Sequence, residues 1–246
     1  MKTTNKILLA VYVVILLVIL SGVIVLKIKI NKGVTVTTNQ IEQKREISKF
    51  TSVEAKNRFA IFYTPDTIAT LRIKADSGFM GLIKTEVKDG KLILDLTKNL
   101  ENQNKIEIYI TSDSLNEVSL SEDCDFTNKK QMNVSSFKLG CNIRSTLNIN
   151  GNFKYMKLFM HLQSKGTIKG NCRDFEFEGL GTNLEADEFV VKNCNINVKY
   201  GGQSNINVTD ELTVMAGSGS MITYAGNPVM KGVDISGNAQ LTKKKW

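Results

Sequence analysis

The chain has 246 residues, 42% of them hydrophobic, and a formal net charge of +8. That length accommodates a membrane segment plus one large domain. The charge is not spread over the body: of 32 basic residues, five lie in 1–33 and three in the last five positions, leaving 24 against 24 acidic ones. A neutral body lacks the basic footprint that binding to a phosphate backbone needs, so nucleic acid is excluded as an expected partner.

Residues 7–26, ILLAVYVVILLVILSGVIVL, run twenty positions without a charge. A helix of that length spans about 30 Å of hydrocarbon. The apolar core of a cleaved signal peptide is about 7–15 residues and is followed by a small-x-small site, which is missing here, as is a cysteine to accept a lipid. Residues 1–33 are read as an uncleaved signal anchor with its flanks, and residues 7–26 as the contact with the membrane. The short N-terminal flank before a large domain places the body in the periplasm or outside the cell. Residues 34–45 are read as a linker and 46–242 as the domain.

From residue 46 the pattern changes. TLRIKA, KLILDL and KIEIYIT alternate apolar and polar residues or form short β-rich runs. Asp89-Gly90 sits beside one of them as a hairpin signal. Residues 46–111 are therefore strands.

The stretch 112–242 repeats. A motif of apolar, any, apolar recurs at Val118, Phe137, Met156 and Phe175, 19 residues apart each time, and again at Phe189, Leu212 and Val233. A second apolar stretch follows about ten residues later in most units, at Leu147, Ile168, Leu184 and Ile206, with Gly, Asn or Ser between. Such a period is the mark of an all-β solenoid, whose coils cannot bury an apolar side alone and so stack. In AGSGS, Gly217 and Gly219 are read as corner glycines that supply backbone freedom. No cofactor is implied. A phosphate loop would need Gly-Lys-Ser/Thr, a dinucleotide loop a third glycine and a helix, and YGGQSNINV lacks the third glycine and the aspartate of a calcium-binding nonapeptide.

The body resembles the GIN-domain family of auto-transporter adhesin heads of bacteria. The resemblance runs through REISKFTSVEAKNRFAIFYTPDT and EVKDGKLILDL to GSGSMITYAGNP and VDISGNAQL, over about residues 45–242. Its most specific element is the Gly-Ser-Gly at 217–219 followed by Tyr224, Gly226 and Pro228. The resemblance implies a right-handed parallel β-helix on an exported or membrane-anchored protein, with no catalytic residues to carry over.

Chemistry-bearing residues are few. Cys124, Cys141, Cys172 and Cys194 form no CxxC, and the single histidine cannot complete a usual zinc set, so no metal site is expected. Cys124 and Cys141 lie about one repeat apart and are either a disulfide or buried thiols. Alternation along YMKLFMH turns Tyr155, Lys157, Phe159 and His161 outward, with Lys138 and Glu176 in one lateral row. That row is either a solvated face with cross-strand charge pairs or a binding stripe in which Tyr155, Lys157 and Phe159 meet a glycan or protein ligand. Asp174 and Glu176, about 6.6 Å apart on one strand, have a spacing that inverting glycosidases use but that any strand provides. A β-helical carbohydrate-active enzyme and a self-assembling envelope protein are the alternatives to a non-catalytic binding module. The basic tail, 243–246, is read as a frayed end.

Overall fold

The structure is a computed structural model that describes residues 39–98 and 105–244. The anchor reading of 7–26 lies outside the described residues. Among the described residues no helix is long and apolar enough to cross a membrane, and the helical content is one 3-10 turn at Met80–Leu82.

The body, Asn39–Trp246, is one compact unit. It opens with β1 (Gln40–Arg45), β2 (Ser52–Lys56), β3 (Phe59–Pro65), β4 (Thr70–Asp76), β5 (Ile83–Lys88), β6 (Lys91–Leu96) and β7 (Ile106–Ser112). Then come β8 (Glu117–Ser121), β9 (Asp125–Asn128), β10 (Met132–Cys141), β11 (Thr146–His161), β12 (Lys165–Leu180), β13 (Asn183–Lys199) and β14 (Gln203–Ala216). β15 (Met221–Ala225), β16 (Val229–Ile235) and β17 (Gln240–Lys243) close the fold. From β8 onward every ladder is parallel, and the solenoid makes about seven turns.

The long strands are two faces joined by a corner. In β11, Ile149 and Phe153 are buried at odd positions, whereas Met156, Leu158 and Met160 are buried at even ones. The phase switches at Lys154-Tyr155, and the same switch recurs at Arg173-Asp174 in β12 and Lys192-Asn193 in β13. Two non-inward residues in succession therefore mark each corner, a sequence signal in its own right. Burial of each large inward side chain contributes about 1.5–3 kcal/mol before entropy is subtracted. Phe137, Phe153, Phe175 and Phe189 form a run of ring contacts inside the coils, with neighbouring centroids 5.5–6.2 Å apart.

At the other edge the coil reverses through a tight turn. Glu122-Asp123, Ile143-Arg144, Leu162-Gln163, Tyr200-Gly201, Ser218-Gly219 and Gly237-Asn238 all have positive φ, and they stack coil over coil. In every one of these turns but the last, the second residue donates its backbone N–H to the next coil, as in Asp123 to Ile143, Arg144 to Leu162 and Gly219 to Gly237. Behind the turns lies a buried row of Ser145, Ser164, Thr182 and Ser220. The Ser145 hydroxyl donates to the Asn142 carbonyl, that of Ser164 to His161 and that of Ser220 to Val198, which satisfies carbonyls that a tight reversal would otherwise bury unpaired.

This column refines the reading of AGSGS. Gly219, at φ 70°, needs left-handed freedom, but its turn partner is Ser218, at φ 52°, rather than Gly217. Gly217 lies outside the left-handed region, and a Cβ there would meet Ser236 Oγ at an ordinary 3.4 Å. Gly226 is the stricter glycine, at φ 91° with the position of a Cβ 1.9 Å from the Val208 carbonyl oxygen.

The register corrects the repeat. Phe175 pairs with Cys194, and Cys194 with Leu212, so the fifth copy of the motif is Cys194-x-Ile196 and not Phe189. Phe189 is a core ring at the corner, level with Gly170. Val118 stacks on Leu139 rather than Phe137, because the coil between them holds two extra residues. Val233 lies level with Val214 rather than Leu212.

The N-terminal strands belong to the same stack. β2 lies between β6 and β8, and β3 between β7 and β9, all in parallel, while β1, β4 and β5 add antiparallel strands at that end. The linker reading of 34–45 gives way over 40–45, where β1 pairs along β4. β5 and β6 form the hairpin expected at Asp89-Gly90, with φ 50° and 73°.

The disulfide alternative is not realised. All four cysteines are buried free thiols. Cys141 is level with Leu120 and Met160, and the Cys124 backbone N–H donates to Ser145 Oγ, so the two cysteines hold different places in their coils. Burial pushes the thiols up, to about 11 for Cys124 and about 12 for Cys141 and Cys172, so they pack as small hydrophobes.

Candidate functional site

The second halves of β11 to β14 lie side by side and turn alternate residues outward. Three lateral rows result: Tyr155, Asp174, Asn193 and Glu211; Lys157, Glu176, Asn195 and Thr213; Phe159, Glu178, Asn197 and Met215. The expected row is thus realised, with Lys138 beside Lys157 and Lys157 beside Glu176. Tyr155, Lys157, Phe159 and His161 are outward and half-buried.

Much of the charge on this face is paired across strands. Lys157 Nζ stands 2.9 Å from Glu176 Oε2 and 5.1 Å from the centre of the Phe159 ring. His161 Nε2 is 3.6 Å from Glu178 Oε1. Burial and the neighbouring Glu176 carboxylate push the Tyr155 phenol above its ordinary value. Asn193 Nδ2 donates to Asp174 Oδ1 at 2.8 Å, and Arg173 Nε to Asp174 Oδ2 at 2.7 Å. These contacts act on protonation. Asn193 and Arg173 hold the Asp174 carboxyl below the ordinary carboxylate range, and Lys157 does the same for Glu176. Both are ionised at neutral pH, so neither is poised to deliver a proton as a glycosidase acid must.

Two shallow depressions run along these rows. One, of about 400 Å³, is lined by Lys157, Phe159, Glu176, Glu178, Asn197 and Met215 among others. Its neighbour, of about 480 Å³, is lined by Tyr155, Asp174, Asn193, Asn195, Glu211 and Thr213 among others. Asn197 Oδ1 is enclosed and accepts no hydrogen bond among the described residues. Aromatic edges thus stand beside amides and ionised carboxylates on a rigid sheet, which suits a ligand with both an apolar face and hydroxyls.

Sequence reasoning placed Tyr155, Lys157 and Phe159 on the outward face but missed the amides beside them. The signal was the alternation in NCNINV, which sets Asn193, Asn195 and Asn197 on one side. Assigning the fifth copy to Phe189 hid it. Cys124 and Cys141 lie inside the coils, and Gly219 is at the turn edge, away from this face. Among the described residues no group of three or more His, Cys, Asp or Glu could hold a metal ion.

The solenoid shares its fold with solved bacterial proteins. A "putative adhesin" of Bacteroides fragilis superposes with a TM-score of 0.77 at 20% identity, covering 86% of this chain and 99% of that one. A "putative adhesin" of Parabacteroides merdae gives 0.63 at 16% identity, covering 84% and 97%. A "putative lipid binding protein" of Parabacteroides distasonis gives 0.62 at 16% identity, again covering 84% and 97%. No curated protein matches the sequence. The family model described as "Putative auto-transporter adhesin, head GIN domain" matches residues 49–228, nearly all of the solenoid. The chain belongs to the GIN-domain family of auto-transporter adhesin heads.

Proposed function

We propose that the protein is a non-catalytic, adhesin-like binding module at the cell surface, held to the membrane by residues 7–26. Its ligand is a glycan, an envelope component or a protein, met along the stripe that begins with Tyr155, Lys157 and Phe159. Family membership supports the adhesin-like class. The observation that carries the site is the pair of adjacent depressions lined by aromatic, amide and ionised carboxylate side chains. Sugars stack C–H faces on rings and hydrogen-bond through hydroxyls, so a glycan is the ligand to test first.

The test exposes the detergent-solubilised full chain to a panel of bacterial and host polysaccharides and records retained protein and newly released sugar ends together. Retention without release, weakened at least tenfold by Tyr155→Ala with Phe159→Ala, is the expected outcome. Release of sugar ends would replace the binding reading with a β-helical hydrolase or lyase. Retention indifferent to both substitutions would move the site off this stripe.

A further inference from the structure

The lining of the two depressions is charged unevenly. Asp174, Glu176, Glu178 and Glu211 contribute four carboxylates and Lys157 a single cation. Three of the carboxylates have a basic partner: Arg173 for Asp174, Lys157 for Glu176 and Lys231, 3.0 Å away, for Glu211. Glu178 does not. Its side chain is 41% exposed, and its contact is His161 at 3.6 Å, which is charged only when protonated. Among the described residues no lysine or arginine pairs with it. Lys138 stands two strands away, beside Lys157. Lys199, on the adjoining strand, leans toward the end of β14, with its Cγ 3.7 Å from the position of a Gly217 Cβ.

Glu178 has an aromatic ring on one side and an unsatisfied acceptor on the other. In its row it is level with Phe159 of β11 and Asn197 of β13. Neighbouring strands are about 4.8 Å apart, so a pyranose ring laid on Phe159 carries an exocyclic group within reach of Glu178. The enclosed Asn197 Oδ1 accepts no hydrogen bond among the described residues. An enclosed acceptor without a donor marks a place where something else supplies one. This end of the row therefore calls for donors and a positive charge together. An ammonium group brings three N–H donors and one positive charge. A hydroxyl or an acetamide supplies a donor but leaves the carboxylate unpaired under the sugar, and an acidic sugar sets like charge against four carboxylates.

We infer that the depression at Phe159, Glu178 and Asn197 selects glycans that bear free primary amines, as de-N-acetylated amino-sugar polymers do, with Glu178 as the counter-ion. The inference rests on the binding reading above and names the class of glycan within it.

Calorimetric titration of the detergent-solubilised full chain at neutral pH tests it, with three soluble probes: a linear glucosamine oligomer, its fully N-acetylated counterpart and an oligogalacturonate. The glucosamine oligomer should bind at least tenfold more tightly than the acetylated one, and the oligogalacturonate most weakly. Glu178→Gln should bring the first two to within about threefold of each other, with melting curves as the control for folding. Glu185→Gln makes the same change of charge on the exposed first half of β13, across the corner, and should leave the preference intact. Equal binding of the two oligomers, a preference that survives Glu178→Gln, or one lost equally in Glu185→Gln overturns the inference. In those cases binding that Tyr155→Ala with Phe159→Ala weakens still keeps the stripe as a glycan site. No binding of either oligomer also overturns it, and retention on the wider polysaccharide panel then decides the binding reading by itself.

Discussion

The turn column and the outward stripe occupy the same coils and follow opposite rules. Along the column most steps repeat the last: a left-handed pair of residues, reduced to Gly181 alone before Thr182, a backbone hydrogen bond to the next coil, and a small buried residue behind, as at Ser145, Ser164, Thr182 and Ser220. Along the stripe each step changes chemistry, from Tyr155 to Asp174 to Asn193 to Glu211 in one row. The turn must present backbone groups at one height and enclose its own carbonyls, which restricts what can stand there. A side chain on the stripe has only to clear its lateral neighbours. Stability is therefore concentrated in the interior and the corners, and the face is free to vary its side chains.

The comparison breaks most readily at the tightest backbone approaches. Gly226→Ala would place a Cβ 1.9 Å from the Val208 carbonyl oxygen, and Gly170→Ala one 2.1 Å from that of Gly151, both at positive φ. Each should cost on the order of 4 kcal/mol or more, since neither carbonyl can leave its coil without opening the stack. Urea unfolding measures this, and a loss below about 1 kcal/mol would mean that the corners are far softer than their geometry. Next comes Phe175→Ala. Phe175 is 1% exposed, with its ring 5.5 Å from that of Phe189, and its removal should cost about 3–5 kcal/mol while glycan retention by the remaining folded protein is unchanged.

Within the turn column the strain can be relieved. Leu162, at φ 53°, is 59% exposed, so its side chain buries little in return for a left-handed backbone. Left-handed geometry costs an L-residue about 1–2 kcal/mol, partly offset by the greater freedom of glycine in the unfolded chain. Leu162→Gly should raise stability by up to about 1 kcal/mol, and Ser164→Ala, which removes a buried hydroxyl bonded to the His161 carbonyl, should lower it by about 1 kcal/mol. If both leave the unfolding midpoint unmoved, the column is not where the coil is defined.

Much of this architecture was legible because stacking imposes a period. The 19-residue spacing of Phe137, Met156 and Phe175 and the hairpin at Asp89-Gly90 required only local patterning. Elsewhere the pattern was present but ambiguous. EFVV at Phe189 is more apolar than NCNINV, so hydrophobicity alone preferred the wrong copy, and only the ladder from Phe175 to Cys194 decides between them. Gly217 drew notice for its residue type, whereas the strained positions include Ile143, Leu162 and Tyr200, which composition would never mark as turns. The N–H of Gln163 reaching the Gly181 carbonyl in the next coil shows what holds such residues there. β1 escaped because QIEQKR is polar but for the exposed Ile41 and becomes a strand by pairing with β4, not by burial.

The smallest expected effect lies on the stripe, and its sign follows from the charges there. Asp174 and Glu176 have folded-state pKa values below the ordinary carboxylate range, because Asn193, Arg173 and Lys157 favour the ionised forms. A carboxylate depressed in the folded state stabilises above its unfolded pKa of about 4, and that contribution fades as pH falls through the lower folded value. The Lys157 ammonium is raised by the same contact, so its share is present below its unfolded pKa of about 10.4 and fades as pH rises through the higher folded value. Stability from the Lys157–Glu176 pair is therefore flat through neutrality and declines only at the two extremes. Because each side chain is more than a third open to water, Glu176→Gln should flatten part of the acid limb and leave the neutral-pH midpoint almost unchanged. Glycan retention at pH 7 should fall severalfold in the same variant, since the carboxylate is an acceptor in both depressions. A substitution that moved stability strongly and retention not at all would make this face another structural seam of the solenoid and erase its contrast with the turn column.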